Sequence, residues 1–139
     1  QHPNSVAVKE ASGNLQQIME ILRDKPSDFD VLSGDDSITQ PMMALGAKGV
    51  ISVAANGYPD LFCKMVTSML NNDTDTALSL HYKTLKMNSL IFADGNPAGI
   101  KCLMAYRNLC KNILRLPLVP VNEDVKRNIE NEFETIYNK

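Results

Sequence analysis

The order of the hydrophobic patterns constrains this fold most, because strand-like and helix-like runs alternate and then the strands stop. Strand-like runs cover residues 6–11, 29–33 and 49–55, and each is followed by an amphipathic helical pattern. Three successive strand–helix units predict a parallel sheet with right-handed crossovers. The third run is apolar, which is typical of a strand buried on both faces.

Capping residues predict where the helices begin and end. Asn14 and Ser37 are each followed three residues later by glutamine, which is the capping-box pattern of a helix N-terminus. Gly46 fits the position just after a helix, and Pro59 fits a first helical turn. Further along the chain, Asn122 is the predicted cap of a last helix. The three helices expected after the strands cover 74–93, 97–110 and 123–138.

A three-stranded parallel sheet with helices on one side leaves its other face and both of its edges open. A closed eight-stranded barrel of this kind needs about 250 residues, whereas this chain has 139. We therefore predict an α/β fold: the last three β/α units of a TIM (β/α)8 barrel, followed by a three-helix C-terminal region. Residues 1–72 would form the partial barrel, and 73–139 the helical domain. The open face predicts association into at least a dimer.

Composition excludes several classes of protein. Hydrophobic residues make up 44% of the chain and charged residues 22%, which is typical of a globular domain. No apolar run approaches the ~18 residues of a transmembrane helix. A net charge of −2 without basic runs argues against nucleic-acid binding. Cys63, Cys102 and Cys110 are an odd number at no metal spacing, which predicts reduced thiols and a cytoplasmic location. The start at Gln1, just before a strand, suggests a piece of a longer protein.

Lys9 is the first candidate for chemistry. Strand alternation places it on one face with Ala7 and Ala11, which leave room for a ligand beside its ammonium group. At the mouth of a barrel, desolvation would favour the neutral amine, which is the nucleophile that attacks a carbonyl compound. The alternative is a solvated lysine on an edge strand, where such residues block aggregation.

The second strand ends in another suggestive turn, at residues 33–36. Gly34 is small enough for a ligand to approach the backbone, and the helix that follows presents its N-terminus to a carboxylate. The alternative is an ordinary capped turn. Asp35 and Asp36 are adjacent in sequence and have no third ligand nearby, so we predict no metal site. His2 and His81 are isolated, with no partner at the spacing of a catalytic triad.

Several segments together resemble the C-terminal half of the dihydrodipicolinate synthase family. Each segment is weak evidence alone, but all of them occur in the family's order and together cover most of the chain. They begin with His2-Pro3-Asn4 and continue with residues 8–14, 31–36, 44–53, 96–97 and 114–120.

The resemblance implies a lyase on a β/α barrel, usually a homotetramer. It implies that Lys9 forms a Schiff base with pyruvate, whose enamine attacks L-aspartate-4-semialdehyde to give 4-hydroxy-tetrahydrodipicolinate, on the route to diaminopimelate and lysine. Gly34 matches the family's glycine beside pyruvate, and Ile51 the residue whose main-chain carbonyl contacts pyruvate. Asn96 matches a position near the barrel mouth. No cofactor is implied, because the lysine itself supplies the covalent catalyst.

Differences from the family pattern limit the activity expected of this chain. The family's proton-relay tyrosine, its carboxylate-binding arginine and the threonines of its pyruvate loop would all precede Gln1. We therefore expect the 139-residue chain to be inactive by itself. One alternative is a pyruvate aldolase like N-acetylneuraminate lyase, which shares the barrel and the lysine. Another is a half-barrel that associates with other chains without catalysis.

Overall fold

A computed structural model describes residue 2 and residues 4–138. Two parallel strands, β1 and β2, pair in register with Lys9 opposite Leu32. The described residues form six α-helices, and short 3-10 helices precede α2 and α3. The strands are β1 (Ala7–Glu10) and β2 (Asp30–Ser33); the helices are α1 (Leu15–Asp24), α2 (Thr39–Ala44), α3 (Pro59–Leu70), α4 (Thr74–Leu90), α5 (Ala98–Tyr106) and α6 (Glu123–Tyr137); the 3-10 helices are Asp36–Ile38 and Ala54–Asn56.

The predicted third strand at 49–55 is much too long. Its pairing is reduced to one parallel bridge between Val50 and Ser33, and the chain then turns into the 3-10 helix Ala54–Asn56. Nor is the run buried on both faces, because Ile51 is 51% exposed. The hydrophobic pattern misled because its apolar side chains pack against helices, and Ala54 lies in a helical core.

Helix caps agree with most of the sequence predictions. The Asn14 side chain accepts hydrogen bonds at the N-terminus of α1, and Asn122 does the same for α6. Gly46 follows α2 with a φ of +115°, a conformation that favours glycine. The predicted cap at Ser37 is wrong: Asp35 accepts from the Ser37 N–H and starts the 3-10 helix instead. Asp35 lies two residues before Ser37, directly before the 3-10 helix, and its carboxylate takes the capping position.

Two hydrophobic cores hold the elements together. The smaller core joins the sheet to its helices through Ile18, Val31 and Met42, all fully buried. The larger core lies among α3, α4, α5 and α6, and includes Phe62, Met87, Leu103 and Ile129, among others. Because the larger core draws on residues both before and after position 72, the helices α4 to α6 are fixed to the end of the β/α part.

The sheet is covered on one side by α1 and α2, whose core contains Val31. Val6 is 68% exposed and Val8 36%, so the described helices leave both valines partly uncovered. The described part of the chain pairs β1 only with β2, which leaves its second edge free. Across the described residues, no helix combines the length and hydropathy needed to span a membrane.

Two phenylalanines test the position of the larger core. Phe62 is 1% exposed and Phe92 is 40% exposed. Phe62→Ala should lower the free energy of unfolding by about 3–5 kcal/mol, because it leaves a cavity among packed side chains. Phe92→Ala removes the same atoms from a half-exposed position and should lower the free energy of unfolding clearly less. Urea denaturation of both variants measures the difference, and equal losses would contradict this assignment of the core.

Candidate functional site

The candidate site is built where β1 and β2 end. Parallel pairing continues one step beyond the strands, since the Gly34 N–H donates to the Glu10 carbonyl at 2.7 Å. Val31 faces the helices, so the period of two along a strand turns Lys9 to the opposite face. Among the described residues, neither hydrophobic core includes Ala7 or Ala11, the neighbours of Lys9 on that face.

Lys9 and Gly34 are in direct contact. A Cβ atom added to Gly34 would lie 2.7 Å from Cε of Lys9 and 2.7 Å from Cβ of Ala11. The stem of the lysine therefore crosses the bare backbone of Gly34. Only glycine permits this approach, because any side chain here would occupy the space of the lysine stem.

The surroundings of Lys9 differ from the sequence expectation in one respect. Lys9 is exposed, so the described residues do not supply the desolvation expected at a barrel mouth. The physical reason is the open face: only one edge of β1 is paired, and nothing in the described chain lies over its ammonium group. Any burial of this amine has to come from another polypeptide segment.

Ile51 lies on the adjoining segment. Its N–H donates to the Ser33 carbonyl at 2.9 Å, while the Ser33 N–H donates to the Gly49 carbonyl at 2.8 Å. The Ile51 carbonyl accepts no hydrogen bond from any residue the structure describes. Ser33 thus holds Ile51 next to Gly34, and leaves a free backbone acceptor there.

Asp36 has a role that the sequence did not reveal. Its side chain is 3% exposed, and its Oδ2 accepts from the N–H groups of Val53 at 3.0 Å and Ala54 at 2.9 Å. The adjacent Asp35 instead caps the short helix through Ser37. No local signal could separate the two, because the partners of Asp36 lie 17 and 18 residues away.

Another carboxylate fixes the end of β1. Glu10 is 6% exposed, and its Oε1 accepts from the Ser12 N–H at 2.9 Å and from the Gln17 amide at 3.4 Å. These bonds tie the strand end to the start of α1. Within the described chain, no group of three or more His, Cys, Asp or Glu side chains is arranged to hold a metal ion.

Asn96 is not brought together with the other candidates. It is exposed on the turn between α4 and α5, where the peptide bond to Pro97 is cis. Of the four candidate positions, the structure thus gathers Lys9, Gly34 and the Ile51 backbone around the end of β2. Asn96 shares no hydrogen bond with them in the described range 4–138.

Comparison with known proteins identifies the family. The sequence model of the dihydrodipicolinate synthetase family matches residues 1–136. This chain belongs to the dihydrodipicolinate synthetase family. A curated relative, 4-hydroxy-tetrahydrodipicolinate synthase of Phocaeicola vulgatus, is 50% identical over 117 residues. That match covers 84% of this chain and 39% of the relative, so the chain spans about two-fifths of its relative's length.

Solved structures of the family share the α/β fold. Dihydrodipicolinate synthase from Aquifex aeolicus is 38% identical with a TM-score of 0.90, covering 97% of this chain and 46% of that one. A second structure is the chloride-inhibited enzyme from Acinetobacter baumannii, complexed with pyruvate. It is 28% identical with a TM-score of 0.91, and the match covers 96% of this chain and 46% of that chain.

The contact between Lys9 and Gly34 generates a stability prediction. Gly34→Ala should lower the free energy of unfolding by about 1–3 kcal/mol, because the new methyl group overpacks against Ala11 and the Lys9 stem. The double variant Ala11→Gly/Gly34→Ala should recover part of this loss, since it removes one of the two clashing groups. Urea denaturation measures both variants. An unchanged free energy of unfolding in Gly34→Ala would mean that Lys9 and Ala11 do not approach Gly34 closely.

Proposed function

We propose that this chain is the lysine-bearing part of a 4-hydroxy-tetrahydrodipicolinate synthase. The observation that carries the proposal is the contact between Lys9 and Gly34, with the unpaired Ile51 carbonyl on the adjoining segment. The family match over residues 1–136 supports it, as does the synthase name of the curated relative. The enzyme would be a lyase that condenses pyruvate with L-aspartate-4-semialdehyde.

The chemistry assigns one task to each residue. Neutral Lys9 attacks the pyruvate carbonyl carbon, and loss of water leaves an imine that draws electrons from the methyl group. Loss of a methyl proton gives the enamine, which attacks the aldehyde carbon of the second substrate. The amino group of the second substrate then attacks the imine carbon and displaces the Lys9 amine, which closes the ring and gives 4-hydroxy-tetrahydrodipicolinate. Gly34 would leave room for pyruvate beside the lysine, and the Ile51 carbonyl would accept a hydrogen bond from the reacting groups.

The same proposal extends to the architecture. Residues 1–72 would be the last three β/α units of a TIM (β/α)8 barrel, and 73–139 its helical C-terminal domain. The exposed face of β1 supports this, because Lys9 would face the interior of a closed barrel. The synthase name of the relative supports this activity over an N-acetylneuraminate lyase-like aldolase. Asn96 as a binding residue and a cytoplasmic location stay predictions.

Pyruvate trapping tests the proposed nucleophile. A suitable protein is a fusion of this chain to the part of the Phocaeicola vulgatus relative that this chain does not cover. Borohydride and pyruvate should attach one carboxyethyl group to Lys9, because reduction fixes the imine. Peptide mass mapping locates the adduct. The unfused chain should give no turnover with aspartate semialdehyde, since its lysine is exposed.

Two lysine variants control the trapping experiment. Lys9→Arg keeps the charge but should abolish the adduct, because a guanidinium group does not form the imine. Lys83→Arg makes the same change at an exposed position on α4 and should leave the adduct intact. An adduct at another lysine, or equal labelling of the Lys9→Arg variant, would refute Lys9 as the nucleophile.

The free edge of β1 predicts self-association of the unfused chain, because an unpaired strand edge favours pairing with a second copy. Val6, directly before β1, is 68% exposed. Sedimentation equilibrium should find a dimer or larger assembly, and Val6→Lys should weaken it. Val119→Lys, at a 63% exposed position far along the chain, is the matched control and should have no effect. A concentration-independent monomer would contradict the prediction.

A further inference from the structure

We propose that Asp36 is a positioning residue for the pyruvate site, because it holds the backbone segment that carries the Ile51 carbonyl. The inference rests on the proposed function and deepens it. Asp36 would not touch pyruvate itself. It would act through two backbone amides, those of Val53 and Ala54, which follow Ile51 in the chain.

The bonding of the carboxylate supports this role. Asp36 is 3% exposed, so its charge is shielded from water and needs donors from the protein. Within the described chain, its Oδ2 accepts only the Val53 and Ala54 N–H groups, at 3.0 and 2.9 Å, and its Oδ1 has no partner. Both hydrogen bonds of the buried carboxylate are therefore directed to this one backbone segment.

Side chains hold part of this segment, because Val53 and Ala54 pack in the larger core. Ile51 and Ser52 lie in neither a helix nor a strand. The Ile51 N–H is bound to the Ser33 carbonyl on one side, and Asp36 binds the backbone on the other side. Ser33 and Asp36 flank Gly34 in a single turn. This turn therefore sets the position of the Ile51 carbonyl relative to the glycine that the Lys9 stem crosses.

Packed residues of the larger core lie near Asp36. Tyr58 is 1% exposed, and its hydroxyl donates to Oδ1 of the equally buried Asn88 on α4. Burial raises the pKa of Tyr58, and the nearby charge of Asp36 raises it further. Tyr58 therefore stays a neutral donor. Asp36 thus lies near a packed side chain of the larger core, which suits a positioning group.

The test uses the same fusion protein and the pyruvate probe. Asp36→Asn keeps the shape of the side chain but removes the negative charge to which the two N–H groups donate. It should raise the half-saturating pyruvate concentration for adduct formation about tenfold, with the limiting yield little changed. Asp35→Asn makes the same chemical change at the adjacent residue, which binds Ser37 instead, and should leave half-saturation unchanged. Amide exchange of Val53 and Ala54, followed by NMR, should accelerate only in Asp36→Asn.

The outcomes separate the two proposals. Faster exchange at both amides together with weaker pyruvate capture supports the inference. Unchanged pyruvate capture in Asp36→Asn overturns it and leaves the proposed function standing, even if the variant is less stable to urea. Equal effects of the two substitutions also overturn it. The effect would then come from losing a negative charge or a helix cap in this turn, not from the bonds of Asp36 to Val53 and Ala54. A wild-type fusion that forms no adduct refutes the proposed function, and the inference fails with it.

Discussion

The turn at residues 33–36 is the constraint on which the rest of the site depends. Its backbone continues the pairing with β1 through Gly34, and it bonds the segment around Ile51 through Ser33. The buried Asp36 carboxylate adds two charge-assisted hydrogen bonds to that segment. Three of the four residues, Ser33, Gly34 and Asp36, therefore hold the turn, the end of β1 and the segment around Ile51 relative to one another. A short polar turn can do this because Gly34 bonds to β1, whereas Ser33 and Asp36 bond to the segment around Ile51.

The one-sided sheet explains why the lysine is positioned but not yet desolvated. Parallel sheets of α/β proteins are normally covered on both faces, whereas here the face with Lys9 is open. The stem of Lys9 is held by contact with Gly34, which is a local property. Burial of its amine is a property of a closed fold. Positioning of the Lys9 side chain and desolvation of its amine therefore have separate physical origins.

The helices after residue 73 contact the start of α3, which follows the segment around Ile51. Arg107, just after α5, donates to the Gly57 carbonyl and lies over the Phe133 ring, 5.2 Å from its centroid. The Tyr137 hydroxyl near the end of α6 donates to Asp60 at 2.6 Å. Together with the shared core, these contacts fix the start of α3. Since α3 directly follows the segment around Ile51, the helical region contributes to the rigidity of that segment.

The sequence by itself determined the helices, the two true strands and the face of β1 on which Lys9 lies. Those features follow from local periodicity and caps, as at Asn14 and Asn122. The sequence misjudged residues 49–55, because an apolar run fits a strand or a helical core equally well. Tertiary structure alone decided that Asp36 rather than Asp35 binds the segment after Ile51. The two aspartates have the same local signal, and only the approach of Val53 and Ala54 across the fold distinguishes them.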